Sequence, residues 1–70
     1  MGKTLRELRI NVGWSQTVLS EKSGVDTGII SRAERGAKIG AAKAKSLADA
    51  LSLAYGCEIK PLDIEGLNVE

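Results

Sequence analysis

Apolar residues recur along this chain at helical spacing in short stretches divided by glycines. Leu5, Leu8, Arg9 and Val12 fall at i, i+3, i+4 and i+7, which is one face of a helix with a charged residue set into it. Thr4 stands before that stripe and Glu7 lies three residues on, the spacing of a capping box. Gly13 ends the stretch, and Trp14 is placed to cover one edge of the core. Ser15 then opens a second helix with a polar first turn and the apolar pair Val18 and Leu19, closing at Ser23-Gly24. Asp26 is suited to cap a third helix, and Gly36 to end it. A fourth helix is predicted over residues 41–55, where Ala44, Leu47, Ala48 and Leu51 share a face and Gly56 terminates.

The stretch from Ser15 to Gly36 organises the rest. A turn of three or four residues that swings one helix roughly 90–120° from the next requires a residue at positive φ, which Gly24 adopts without steric cost. Val25, just after it, falls in the angle between the helices. In the third helix Ile30, Ala33 and Glu34 share the inner side, while Thr27, Gly28, Ser31, Arg32 and Arg35 share the outer side. That outer face holds no carboxylate. Small polar groups, bare backbone and two guanidiniums suit close approach to a polyanion and hydrogen bonding to base edges. A solvated helix face has a similar composition, but the hinge, the caps and the preceding short helix favour the binding surface.

Two acidic or basic residues sit where apolar ones belong. Arg9 either snorkels from the edge of its stripe or pairs with Glu34, which is equally out of place on the inner face. The tail from Cys57 onward has two readings as well. Pro61 can open a one-turn helix through Glu65, or Leu62, Ile64, Leu67 and Val69 can form short extended pieces around Glu65-Gly66.

Composition narrows the class. Seventy residues allow one small domain, near the lower limit for a core without staples. A single cysteine, Cys57, rules out an intrachain disulfide, and with no histidine a zinc site is not expected. No apolar run spans a bilayer and no signal peptide is visible, so the expected setting is a reducing cytoplasm. An enzyme is not expected either, since the chain has no histidine and its one cysteine lies in the tail. Net charge is only +1, but residues 1–45 hold nine Lys and Arg against four Asp and Glu, and residues 46–70 hold one against five. The basic half is the half with the hinge, the asymmetry that nucleic-acid contact on one side of a domain needs.

Leu5 to Leu53 resembles the helix-turn-helix domain of the phage repressor and Cro family, the xenobiotic-response-element type of regulator. The matching residues are Leu5, Leu8 and Arg9; Ser15-Gln16 with Leu19; Gly24-Val25; Ile30-Ser31-Arg32 with Glu34-Arg35-Gly36; and Leu47-Ala48 with Ala50-Leu51. The resemblance implies an all-α, lambda-repressor-like bundle of four to five helices, with residues 1–56 as the DNA-binding domain and residues 57–70 as a tail. It implies a salt bridge between Arg9 and Glu34 that links the first and third helices. It also implies that the helix starting at Thr27 enters the major groove, with Thr27, Gly28, Ile29, Ser31 and Arg32 facing bases and Ser15, Gln16, Arg35, Lys38 and Lys43 facing phosphates.

The expected partner is then a pseudo-palindromic double-stranded DNA operator bound by a homodimer, with no cofactor, metal, membrane or small-molecule ligand. One motif reads too few base pairs to select an operator, and the surface left for a second copy is the tail, with Leu62, Ile64 and Leu67 as the dimer contact. Folding of the tail onto its own core is the competing expectation. Three departures stand out: Gly28 has no side chain where the family reads a base, Ser23 replaces a usually apolar residue, and the loop Ala37–Gly40 is short of basic residues. The rival function is an antitoxin-like or adaptor module whose main partner is a protein, favoured by the low net charge, the thin loop and the acidic tail.

Overall fold

The computed structural model describes residues 2–70. In chain order it comprises β1 (Lys3–Thr4), α1 (Leu5–Asn11), α2 (Gln16–Ser23), α3 (Thr27–Glu34), β2 (Lys38–Ile39), α4 (Ala41–Tyr55), a 3-10 turn (Pro61–Asp63), β3 (Ile64–Glu65) and β4 (Asn68–Val69). The architecture is an all-α bundle of four helices. Leu19, Ile30, Leu47 and Leu51 form its fully buried centre, one residue each from α2 and α3 and two from α4. Ile30, Leu47 and Leu51 are positions that the helical spacing put inward, and Leu19 is one of the apolar pair in α2.

Local chemistry fixes where each helix starts. The Thr4 hydroxyl accepts the Glu7 N–H at 3.1 Å and the Glu7 carboxylate accepts the Thr4 N–H at 2.9 Å. That backbone N–H of Thr4 holds the Glu7 carboxyl below the usual carboxylate range, so the box stabilises at neutral pH and loosens as acid protonates Glu7. Gly24 ends α2 in the left-handed conformation, φ 76°. Val25 then drops into the angle between α2 and α3 and is buried.

Ser23 is where polarity enters the hinge. Its hydroxyl donates to the Leu19 carbonyl at 2.7 Å and accepts the Val25 N–H at 3.2 Å. The residue stitches the turn together, and its polar atom is satisfied rather than orphaned.

Residues 57–70 wrap back over the domain. Each expectation for the tail holds in part: a helical turn forms but covers only Pro61–Asp63, taking in Leu62, while Ile64–Glu65 and Asn68–Val69 are short extended pieces. The fifth helix is thus a single 3-10 turn. β3 pairs in parallel with β1, Lys3 opposite Ile64, and β4 pairs in parallel with β2, Lys38 opposite Asn68. The Ser52 hydroxyl accepts the Ile59 N–H at 2.8 Å where the tail leaves α4, and Tyr55 donates from its hydroxyl to the Leu8 carbonyl at 2.9 Å. Ile64, expected as a dimer contact, is 3% exposed and completes the core of its own domain. Leu67 is half-buried against the same core, which leaves Leu62, 95% exposed, as the member of that trio with surface to offer.

Candidate nucleic-acid interface

The outer face of α3 begins at a tight cap. The Asp26 carboxylate accepts the Gly28 N–H at 2.9 Å, and a Cβ added at Gly28 would stand 2.9 Å from the same carboxylate oxygen. The missing side chain at position 28 is therefore matched to the cap and exposes bare backbone at the start of the helix. Gly28→Ala gains roughly 1 kcal/mol of helix propensity and loses part of a cap worth about 0.5–2 kcal/mol. The two nearly cancel, so a urea midpoint within experimental scatter of the parent is expected.

Further along α3, Ile30 and Ala33 point into the core while Arg32 and Arg35 are exposed. The two arginines differ. Arg35 is folded back on its own helix, donating from Nη2 to the Ser31 hydroxyl at 3.2 Å. The Arg32 side chain has no hydrogen bond or ion pair among the described residues, so its five donors remain available to a ligand. Ser31 keeps its own hydroxyl proton to give. Thr27 and Gly28 are half-buried at the entry to the same face.

Ile29 is placed differently from its expected base-facing position. It packs against the core and walls a groove with Arg32, Lys38, Ile39, Gly40 and Lys43. The reason is angular: it precedes Ile30 by one residue, about 100° around the helix, on the border of the apolar face. Lys38 and Lys43 are exposed beside it. Between them Gly40 precedes α4 and offers no side-chain cap, so the first-turn N–H groups of the helix stay open beside Lys43.

The start of α2 is tied to the end of α3. Arg9 donates from Nε to Glu34 Oε2 at 2.7 Å and from Nη2 to Glu34 Oε1 at 3.2 Å, a bidentate pair whose side chains are 11% and 6% exposed. Arg9 Nη1 also donates to the Trp14 carbonyl at 2.9 Å, and Gln16 Nε2 donates to Glu34 Oε1 at 3.1 Å. Arg9 is thus paired, not snorkelling.

One buried ion pair grips both sides of the α1–α2 connection. A carboxylate only accepts, so Gln16 must turn its NH₂ group toward Glu34, which leaves one N–H of that nitrogen free. Ser15 is exposed and its hydroxyl accepts the Val18 N–H at 3.1 Å as the α2 cap. Spacing gave no sign of the Gln16 link, because position 16 lies 18 residues from Glu34. Nor did it mark Lys22, whose ammonium lies 5.9 Å from the centre of the Trp14 ring.

The residues expected at bases and at phosphates therefore lie on three adjoining pieces: the outer face of α3, the start of α2, and the Lys38–Lys43 connection. Ile29 sits at their border and Gln16 is shared with the buried pair. Among the described residues no group of three or more His, Cys, Asp or Glu is placed to hold a metal ion. A family model described as helix-turn-helix matches residues 5–56. Neither a curated protein nor a solved structure matches the chain.

Proposed function

The chain belongs to the Cro/C1-type helix-turn-helix family of DNA-binding regulators, and on that premise we propose that it is a sequence-specific cytoplasmic repressor acting as a homodimer on a pseudo-palindromic operator. The observation that carries this reading is Arg32, exposed and unpartnered on a carboxylate-free helix face that begins with bare backbone at Gly28. A free guanidinium there is suited to a bidentate contact with guanine N7 and O6. Thr27 and Ser31 lie beside it with hydroxyls for neighbouring base edges. The first turn of α2 from Ser15 and Gln16, together with Arg35, Lys38 and Lys43, supplies the flanking phosphate contacts.

Two copies must present two such helices about 34 Å apart. Leu62 and Leu53, 95% and 87% exposed, mark the surface we assign to the second copy. Between them lie the Lys45–Asp49 ion pair at 2.6 Å and the opposite charges Glu58 and Lys60, a mixed-sign border that two identical surfaces can match. The same exposed leucines favour, as a second reading, an adaptor that docks a different protein.

Selection of bound duplexes from a random library tests the proposal, reporting affinity, symmetry and half-site spacing together. An adaptor yields no enriched duplex and no salt-dependent binding. On the selected site, Arg32→Ala is expected to lose about 1–3 kcal/mol and relax preference at one base pair. Gln16→Ala is expected to weaken all sequences alike. Equal, sequence-independent losses in competition shifts would remove Arg32 from the base-reading set.

A further inference from the structure

Residues 57–70 lie outside the family match, yet β4 is fastened to β2, the connection that carries Lys38 away from the recognition helix. Three contacts hold it. The ladder sets Asn68 opposite Lys38 and Val69 opposite Ile39, Asn68 Nδ2 donates to the Gly36 carbonyl at 2.5 Å, and the Glu70 N–H donates to the Ile39 carbonyl at 2.9 Å. The backbone of Glu70 is therefore fixed. Glu70 helps line a groove of about 220 Å³ that is otherwise walled by Ile29, Arg32, Lys38, Ile39, Gly40 and Lys43.

Three cations and one carboxylate share this concavity, and the cations are those assigned above to guanine and to phosphates. No salt bridge within 4.0 Å binds Glu70 to any of them among the described residues. The carboxylate leaves the cations unpaired while adding a negative charge to the groove whose lysines are assigned to phosphates.

We propose that Glu70, presented by β4, is a negative determinant of DNA affinity that sharpens sequence selectivity. The inference rests on the DNA-binding reading. Binding to arbitrary sequence comes almost wholly from phosphate neutralisation, whereas binding to the operator adds base contacts. A carboxylate held near the phosphate-facing groove by its backbone opposes the first contribution, so it weakens arbitrary sequence proportionally more than operator. That is selectivity gained by repulsion. Glu70 is exposed and screened by salt, which limits the effect to about two- to fivefold in affinity near physiological ionic strength.

The test is a salt titration of the full chain on a labelled random-sequence duplex. Glu70→Gln keeps the shape, removes the charge and leaves the core alone. It is expected to bind about two- to fivefold more tightly, with a steeper dependence of affinity on salt and a smaller preference for the selected operator. Asn68→Ala, which frees β4 from Gly36, is expected to tighten binding in the same direction, with little added by Glu70→Gln on top of it.

Glu70→Gln that binds no more tightly than the parent overturns the proposal. Asn68→Ala that binds more weakly makes β4 a brace for the Lys38 connection and overturns the strand's part in it. A parent protein with no salt-dependent duplex binding overturns instead the DNA-binding reading beneath, an outcome distinct from a parent that binds and a variant that matches it.

Discussion

Replacing Glu34 with alanine is expected to lower the free energy of unfolding by about 3–5 kcal/mol, because it strands the Arg9 guanidinium in the interior. For a domain at the lower end of the usual stability of about 5–15 kcal/mol, that is enough to leave much of the protein unfolded at physiological temperature. Arg9 would keep only the Trp14 carbonyl, and Gln16 would lose its acceptor. Replacing both charges, as in Arg9→Met with Glu34→Leu, removes the desolvation cost along with the attraction. The double variant is expected to match the parent or exceed it by up to about 4 kcal/mol.

A urea double-mutant cycle measures the coupling, and additive single losses would mean that the pair contributes nothing as a pair. The double variant also isolates the functional role. Folded but without an anchor for Gln16, it should bind every duplex more weakly while its preference among sequences stays as in the parent.

How much of this was legible beforehand follows from the range of each interaction. Thr4 with Glu7, Ser15 with Val18 and Asp26 with Gly28 are contacts two or three residues apart, so the spacing of residue types reveals them. Ile30, Leu47 and Leu51 were legible through helical period, whereas Leu19 was marked only as one of an apolar pair with Val18. Arg9 and Glu34 were marked by a charge in an apolar stripe, but periodicity alone left snorkelling open, and a contact 25 residues away decided it.

Extended pieces in the tail were one reading of its apolar residues, but the pairing of the two ladders gave no signal. A strand of two residues is too short to show alternation, and Lys3 meets Ile64 across almost the whole chain. For the same reason the apolar residues of the tail could not be sorted into inward and outward. Ile29 was hard to place for an angular reason, lying where the apolar face of α3 turns into the polar one.

The tail carries the second large effect, and two of its residues separate folding from assembly. Ile64 is 3% exposed and sits in the core beside β1, so Ile64→Ala should cost about 2–5 kcal/mol through lost burial and the cavity left behind. Leu62, two residues earlier and 95% exposed, touches little of its own domain, so Leu62→Ala should stay within about 0.5 kcal/mol of the parent. Cutting the chain after Gly56 would remove Ile64 together with both ladders. A loss of dimer in that fragment would then report unfolding as readily as a lost contact.

Leu53→Asp with Leu62→Asp is the cleaner change, since both side chains project into solvent from a domain that should remain folded. If these leucines join two copies, sedimentation of the free protein shifts to the monomer and operator binding loses its cooperativity. Chemical melts should at the same time stay close to the parent. Unchanged sedimentation and cooperativity in that folded variant would rule this surface out. With Ile64 and Leu67 already turned toward their own core, the second copy would then have to meet this one away from the tail.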